Sequence, residues 1–173
     1  MSQSYNDRRR FELFVSVTVI AIIASVGLGR YNAMAKEAQI KRFELLSHNF
    51  LTGAANIRVK YLVEHAVKQD KSPTQALTII DEKPVYFSPQ GWPASLQAIN
   101  RDGFQPKEED CYQLWRLFLQ NPPAITQGMT EQIETEFSVQ AERDFCRYEL
   151  LESGAFFDYF PLTGQLMFQT DGL

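Results

Sequence analysis

The sequence contains few of the residues on which most catalytic and metal sites depend. It has two cysteines and two histidines. None of the motifs G-x-S-x-G, G-x-x-x-x-G-K-[ST], G-x-G-x-x-G or H-E-x-x-H occurs. We therefore expect no enzymatic activity, no catalytic residue, no cofactor and no small-molecule substrate. A membrane-tethered enzyme stays open as an alternative, because a pair of carboxylates can carry out acid–base chemistry without a motif.

Positive charge is outnumbered by negative charge, with 17 Lys and Arg residues against 21 Asp and Glu residues. The formal net charge is −4, the sequence pI is about 5.2, and the one dense basic cluster is Arg8, Arg9 and Arg10. Nucleic-acid binding depends on a basic surface that can neutralise phosphates. The composition therefore predicts no nucleic-acid partner.

Proline is absent before Pro73, and the run from Leu13 to Gly29 contains no charged residue. As a helix, Phe11 to Gly29 would span about 28 Å, close to the ~30 Å hydrocarbon core of a bilayer. The three arginines, Arg8 to Arg10, precede this run, and basic flanks stay in the cytoplasm. The pattern predicts a single-pass anchor in a bacterial inner membrane, with the N-terminus cytoplasmic and the C-terminal domain periplasmic.

Two other interpretations of the apolar run remain. Ala33-Met34-Ala35 offers an A-x-A pattern of the kind that follows a cleaved secretory signal. A buried core helix of a soluble protein would also be apolar on all sides.

After the apolar run the pattern becomes amphipathic. Apolar residues recur at three- and four-residue steps. They are Ile40, Phe43, Leu46, Phe50, Ala54, Ile57 and Tyr61. We predict one continuous helix that ends before Ser72-Pro73, because the residue before proline avoids helical geometry. The predicted organisation is residues 1–10 cytoplasmic, 11–30 transmembrane, 31–70 an amphipathic extension of the same helix, and 71–173 a periplasmic head domain.

The head domain shows short segments separated by turn residues. A hairpin is predicted from residues 76–80 and 85–87, a loop at residues 88–93, a short helix after Glu108, and a β-meander at 136–141, 145–150, 155–160 and 165–170. The predicted fold class is α+β. It consists of one long N-terminal helix packed on a small antiparallel sheet of about four to six strands.

Cys111 and Cys146 are the two cysteines. In an oxidising compartment an even pair predicts a disulfide. A zinc site is the alternative, but His48 and His65 lie on the predicted long helix and no paired-ligand spacing exists, so we expect no metal.

The order of these features resembles the type IV pilins and pseudopilins. A short basic leader precedes FELFVSVTVIAIIASVGLGRY, which runs into an amphipathic helix, a loop region and a small sheet with two cysteines. In that family a prepilin peptidase cuts between a glycine and a phenylalanine, and a glutamate five residues into the mature chain docks on a neighbouring subunit. Here Arg10 precedes Phe11, and Glu12 would be the second residue of a mature chain.

A narrower resemblance covers residues 43 to the C-terminus. The segments NFLTGAANIRVKYL, GWP and CYQLWRLFL look like the mannose-sensitive haemagglutinin (MSHA) type pilus biogenesis proteins. This implies a structural or assembly role in a pilus, with other pilin or pilus-assembly proteins as partners. Residues available for helix packing would be Glu12, the small residues Ala21, Ala24 and Gly27, and the stripe residues Ile40, Phe43, Phe50 and Ile57.

A different class of function also fits the sequence. In a bitopic periplasmic ligand-binding or sensor module, the Gly91-Trp92-Pro93 loop and the aromatic sheet would form the ligand surface. An exposed aromatic patch would favour that class.

Overall fold

The computed structural model describes residues 2–68, 77–80, 82–99, 104–127 and 135–170. The chain separates into two compact units, and the boundary in the sequence falls between Gln39 and Ile40. The described residues contain one long N-terminal helix, a second short helix and two β-sheets, joined by turns and loops. The predicted α+β class with a long N-terminal helix is therefore confirmed.

The first helix, α1, runs from Ser2 to Lys68. In the first unit, all the residues from Arg10 to Ala38 are exposed within the chain. In the second unit the burial of α1 agrees with the predicted apolar stripe: the stripe residues Phe43, Phe50, Ala54 and Ile57 are buried. The predicted end of this helix, at residue 70 before Ser72-Pro73, lies outside the described residues.

The second helix, α2, spans Glu108–Phe118, where the sequence predicts a short buried helix. Three acidic residues occupy its first turn, where the partial positive charge of a helix N-terminus favours them. The Asp110 carboxylate accepts a hydrogen bond from the backbone N–H of Lys107 at 3.0 Å. Pro122 and Pro123 follow shortly after the helix.

The strands form two sheets, whereas one antiparallel sheet was expected. The strands are Leu77–Ile80 (β1), Lys83–Phe87 (β2), Pro93–Ser95 (β3), Ile125–Gln127 (β4), Phe137–Ala141 (β5), Cys146–Leu150 (β6), Ala155–Phe160 (β7) and Gln165–Gln169 (β8). The first sheet is antiparallel, with the order β1-β2-β3, and the second has the order β4-β5-β6-β7-β8. The predicted antiparallel sheet is therefore confirmed in part: the first sheet is antiparallel, whereas the second is mixed, because β4 pairs with β5 in parallel.

The four meander strands, β5 to β8, lie within one residue of their predicted bounds. They pair antiparallel in chain order. Strands β3 and β4 were missed because each has three residues. So short a segment shows no alternation, and β3 begins at the last residue of the predicted loop.

Phe50 lies at the centre of the second unit's core and is fully buried. Its ring centroid lies 4.8 to 6.3 Å from five other aromatic rings, which come from α2, β6 and β7. They are Trp115, Phe118, Tyr148, Phe157 and Tyr159. One residue of α1 therefore holds together the second helix and the middle of the larger sheet.

Gly53, three residues further along α1, allows α2 to approach closely. A Cβ atom at this residue would overlap the backbone carbonyl of Phe118. The glycine therefore serves helix packing within the head.

Candidate assembly interface

The apolar run of α1 is the first candidate surface for partners. Its large apolar side chains are 43 to 71 % exposed. They are Phe11, Leu13, Phe14, Val15, Val17, Val19, Ile20, Ile22, Ile23, Val26 and Leu28. Within the described residues this is the one helix long and apolar enough to cross a membrane. Because apolar side chains surround it on all sides, the helix segment lacks a face suited to water.

The polar side chains inside this run bond to their own helix. The hydroxyl groups of Ser16, Thr18 and Ser25 donate hydrogen bonds of 2.7 to 2.8 Å to backbone carbonyls four residues earlier. Hydroxyls satisfied in this way need no water. A bilayer requires this of polar groups, since its hydrocarbon core offers no hydrogen-bond partner.

The residues predicted to pack against other helices in this run are all accessible. Glu12, Ala21, Ala24 and Gly27 are exposed in the chain. A Cβ atom at Gly27 would meet nothing within 4 Å, so a neighbouring backbone can approach there. Of the residues predicted to set the topology, Arg8 and Arg9 belong to α1, and Arg10 is exposed.

The stripe residues in the second unit have a different environment. Phe43, Phe50 and Ile57 are buried, and Ile40 is half-buried against the same core. The Phe43 ring lies 5.4 to 5.9 Å from the rings of Phe137, Phe157 and Phe168. These side chains contact their own head domain, so we reassign them from subunit assembly to the core.

The opposite face of α1 in the second unit remains open to solvent and is mixed in character. Leu45, Val59 and Val63 are 58 to 61 % exposed. Asn49 and Asn56, also exposed, interrupt them along the same face. This face therefore differs from the uninterrupted apolar surface of the first unit.

The predicted disulfide is confirmed. Cys111 at the start of α2 is bonded to Cys146 at the start of β6, with their Cα atoms 5.5 Å apart. Both cysteines are fully buried, and the Tyr148 hydroxyl donates a 2.8 Å hydrogen bond to the Cys111 carbonyl. Burial raises the pKa of Tyr148 well above its usual value. The described residues contain no group of three His, Cys, Asp or Glu side chains able to hold a metal ion.

An ion pair on the outer face of the larger sheet was not predicted from the sequence. Arg147 on β6 donates two 2.8 Å hydrogen bonds to Asp158, its direct partner on β7. The same guanidinium lies 4.0 Å from the ring centroid of Phe156 and 5.3 Å from that of Phe145. The hydrogen bond to Asp158 raises the pKa of Arg147. The pair depends on strand register, which the sequence pattern did not determine.

The Gly91-Trp92-Pro93 loop is built into the head. Gly91 has φ +77°, a conformation that favours glycine, and the Arg58 guanidinium lies 4.3 Å from the Trp92 ring centroid. A Cβ atom at Gly164, in the β7–β8 turn, would overlap the Trp92 ring. The tryptophan therefore packs between α1 and that turn, and it is half-buried.

An open cavity of about 390 Å³ lies among the described residues of the head. Lys83 of β2 and Glu109, Tyr112 and Arg116 of α2 are among its lining residues. This volume is in the range of small-molecule sites. The lining mixes charges of both signs with apolar surface and does not select one ligand chemistry.

The chain matches no protein-family model, no curated protein and no solved structure. The class of protein is therefore described from the structural elements of the chain itself. An apolar helix of membrane-spanning length precedes a disulfide-bonded α+β head that is assembled on the distal part of the same helix.

Proposed function

We propose that this protein is a structural or assembly component of a type IV, MSHA-like pilus. It is anchored in the inner membrane by residues 11–30, with the N-terminus cytoplasmic and the head periplasmic. It binds other pilin or pilus-assembly proteins through the N-terminal helix.

The observation that carries this proposal is the complete exposure of an apolar helix segment. From Arg10 to Ala38 no described residue is buried by the rest of the chain. A bilayer and neighbouring helices are the two environments that suit such a surface. Ala21, Ala24 and Gly27 supply the small side chains that let helices approach closely within a membrane.

The proposal also rests on the resemblance of the sequence to the pilins. A basic leader, an apolar helix and an α+β head with two cysteines follow one another in the order of that family. Arg10 stands where prepilins have glycine, and Glu12 is displaced from the family's glutamate position. For this reason we assign the chain to a minor or assembly component and not to the major fibre subunit.

Site-specific photo-crosslinking in cells that assemble the pilus tests this assignment. A photoreactive phenylalanine analogue at Ile20, which is 66 % exposed, should crosslink to other pilin or assembly proteins. The matched control carries the analogue at Ile79 in the head, which is 64 % exposed, and should give few of these products. Crosslinks from Ile20 to lipid alone, with normal piliation in a deletion strain, would contradict the proposal.

A periplasmic ligand-binding or sensor module is the second candidate, and the head cavity is the observation that favours it. A ligand screen by thermal shift would use the full chain in detergent and its Arg116→Ala variant. The sensor function predicts a compound that stabilises the parent protein and fails to stabilise the variant. If no compound distinguishes the two proteins, the cavity does not support a sensor.

A further inference from the structure

Among the described strands, β8 has the least protected outer edge. In the larger sheet β8 is terminal, and among the described strands β7 is its one partner. In a terminal strand, alternate backbone N–H and C=O groups point away from the sheet. These groups can accept another strand.

Proteins usually protect such an edge with charge, proline, a bulge or a short strand. Strand β8 reads Gln-Leu-Met-Phe-Gln, without a charged residue or proline, and its register with β7 is uninterrupted. The other edge strands have three or four residues. The edge strand β1 also has a partner for one of its carbonyl groups, because the Lys60 ammonium donates a 3.2 Å hydrogen bond to the Ile79 carbonyl.

The sequence of β8 is nearly symmetric about Met167. If two β8 strands pair antiparallel around that residue, Gln165 lies opposite Gln169 of the second copy, and Leu166 lies opposite Phe168 of the second copy. Met167 lies opposite itself. In this register each amide side chain lies opposite an amide side chain, and each apolar side chain lies opposite an apolar one. A single register therefore gives every residue of the strand a compatible partner.

The two faces of β8 fit this register. Gln165, Met167 and Gln169 are exposed, with Met167 48 % exposed, while Leu166 and Phe168 are half-buried on the core side. Pairing would continue the core face and the polar face from one sheet into the other. It would also cover Met167, a large apolar side chain that the chain itself leaves open.

We propose that β8 pairs antiparallel with β8 of a second copy of this chain, joining the two five-stranded sheets across a two-fold axis at Met167. The interface of five residues per strand is small, so the association is reversible. This proposal does not depend on a role in a pilus.

Disulfide trapping tests the register. Both native cysteines are bonded to each other, so Met167→Cys adds one free thiol to the full chain in detergent micelles. Mild oxidation should give a dimer whose peptide map shows residue 167 joined to residue 167. The matched control is Ile79→Cys, on the exposed edge strand β1, and should give at least about fivefold less dimer. Equal trapping at both residues, or no trapping at residue 167, would overturn the proposal.

Charge substitution tests the partner. Met167→Lys and Met167→Glu each place like charges opposite one another, so each should lower self-association about fivefold. A mixture of the two variants should recover the parent's association, since opposite charges then meet at the axis. Failure of the mixture to recover would overturn the pairing. In cells, trapping of the Met167→Cys thiol on a different protein alone would overturn the choice of a second copy.

Discussion

Two stretches of α1 have opposite relations to the rest of the chain. Between Phe11 and Leu28 the large apolar residues are exposed, whereas Phe43 and Phe50 are 1 % and 0 % exposed. The first stretch is apolar on all sides, and the second has a narrow apolar stripe beside polar residues. The head therefore covers the stretch of α1 that has one apolar face beside a polar face. The stretch that is apolar on all sides remains exposed.

The difference separates two kinds of stability. The head gains its stability from burial of aromatic side chains around α1, while the apolar side chains of the first stretch are exposed in the part of the chain that the structure describes. Substitutions in the first stretch should therefore leave the stability of the head unchanged, and substitutions in the second should leave membrane integration unchanged. The predictions below follow this separation, from the largest expected effect to the smallest.

The largest effect is expected for two charges in the middle of the apolar run. The double variant Ile20→Lys with Ile23→Lys should impair membrane integration, since lysine near a membrane helix centre costs about 3 kcal/mol per residue. Carbonate extraction of cell membranes measures the retained fraction. The control, Ile79→Lys on the exposed head surface, should stay fully integrated. Equal retention of the double variant would show that this stretch is not the anchor.

The next effect is expected at the centre of the head. Phe50→Ala removes a buried ring that contacts five others, so the free energy of unfolding should fall by about 3 to 5 kcal/mol. Chemical denaturation of the full chain in detergent, followed by tryptophan fluorescence, measures it. Phe14→Ala, at a residue that is 71 % exposed, should change the value by less than about 0.5 kcal/mol. If both variants lost a similar amount of unfolding free energy, the claim that only the second stretch stabilises the head would be contradicted.

Loss of the disulfide should destabilise the head by a comparable amount. Replacing Cys111 and Cys146 with alanine opens a link across a separation of 35 residues. The chain-entropy model gives a loss of about 3 to 4 kcal/mol in the free energy of unfolding. The same denaturation experiment measures this loss, and membrane integration serves as the control that should not change. A loss below about 1 kcal/mol would mean that the bond adds little to the head.

The smallest effect concerns pH. Burial raises the pKa of Tyr148 and Tyr159 above the ordinary tyrosine value of about 10, so the folded head retains two phenolic protons that the unfolded chain releases above pH 10. Stability should therefore be constant with respect to these groups below about pH 10 and fall above it, by about 1.4 kcal/mol per pH unit for each tyrosine. Denaturation at pH 9 and pH 11 measures the difference. Tyr159→Phe should lower this slope by about 1.4 kcal/mol per pH unit, and an unchanged slope would exclude Tyr159 as one of its sources.

Much of the fold could be predicted because its signals are local. The apolar run, the stripe and the alternating aromatic strands each depend on residues close in sequence. The short helix α2 was predicted after Glu108, and β5 to β8 were predicted within one residue of their observed bounds. The disulfide followed from the number of cysteines. Strands β3 and β4 escaped prediction because three residues carry no periodicity.

The candidate interface was predicted in part. Ala21, Ala24 and Gly27 are exposed. The sequence indicates this, because a run that is apolar on all sides has no single face for the head to cover. The burial of Phe43 and Phe50 depends on which partner covers the stripe, and periodicity alone does not distinguish the chain's own head from another subunit. The Arg147–Asp158 pair and the uncharged edge of β8 likewise depend on strand register and order.

Membrane anchoring by residues 11–30 is the central claim, and the intact mass of the native protein after cell fractionation tests it most directly. We predict a protein in the inner membrane that retains Phe11 to Gly29. It should be either full length or shortened by residues 1–10 in a manner that depends on the prepilin peptidase. A soluble periplasmic protein whose mass begins near Lys36 would contradict the claim, because the apolar run would then be a cleaved signal.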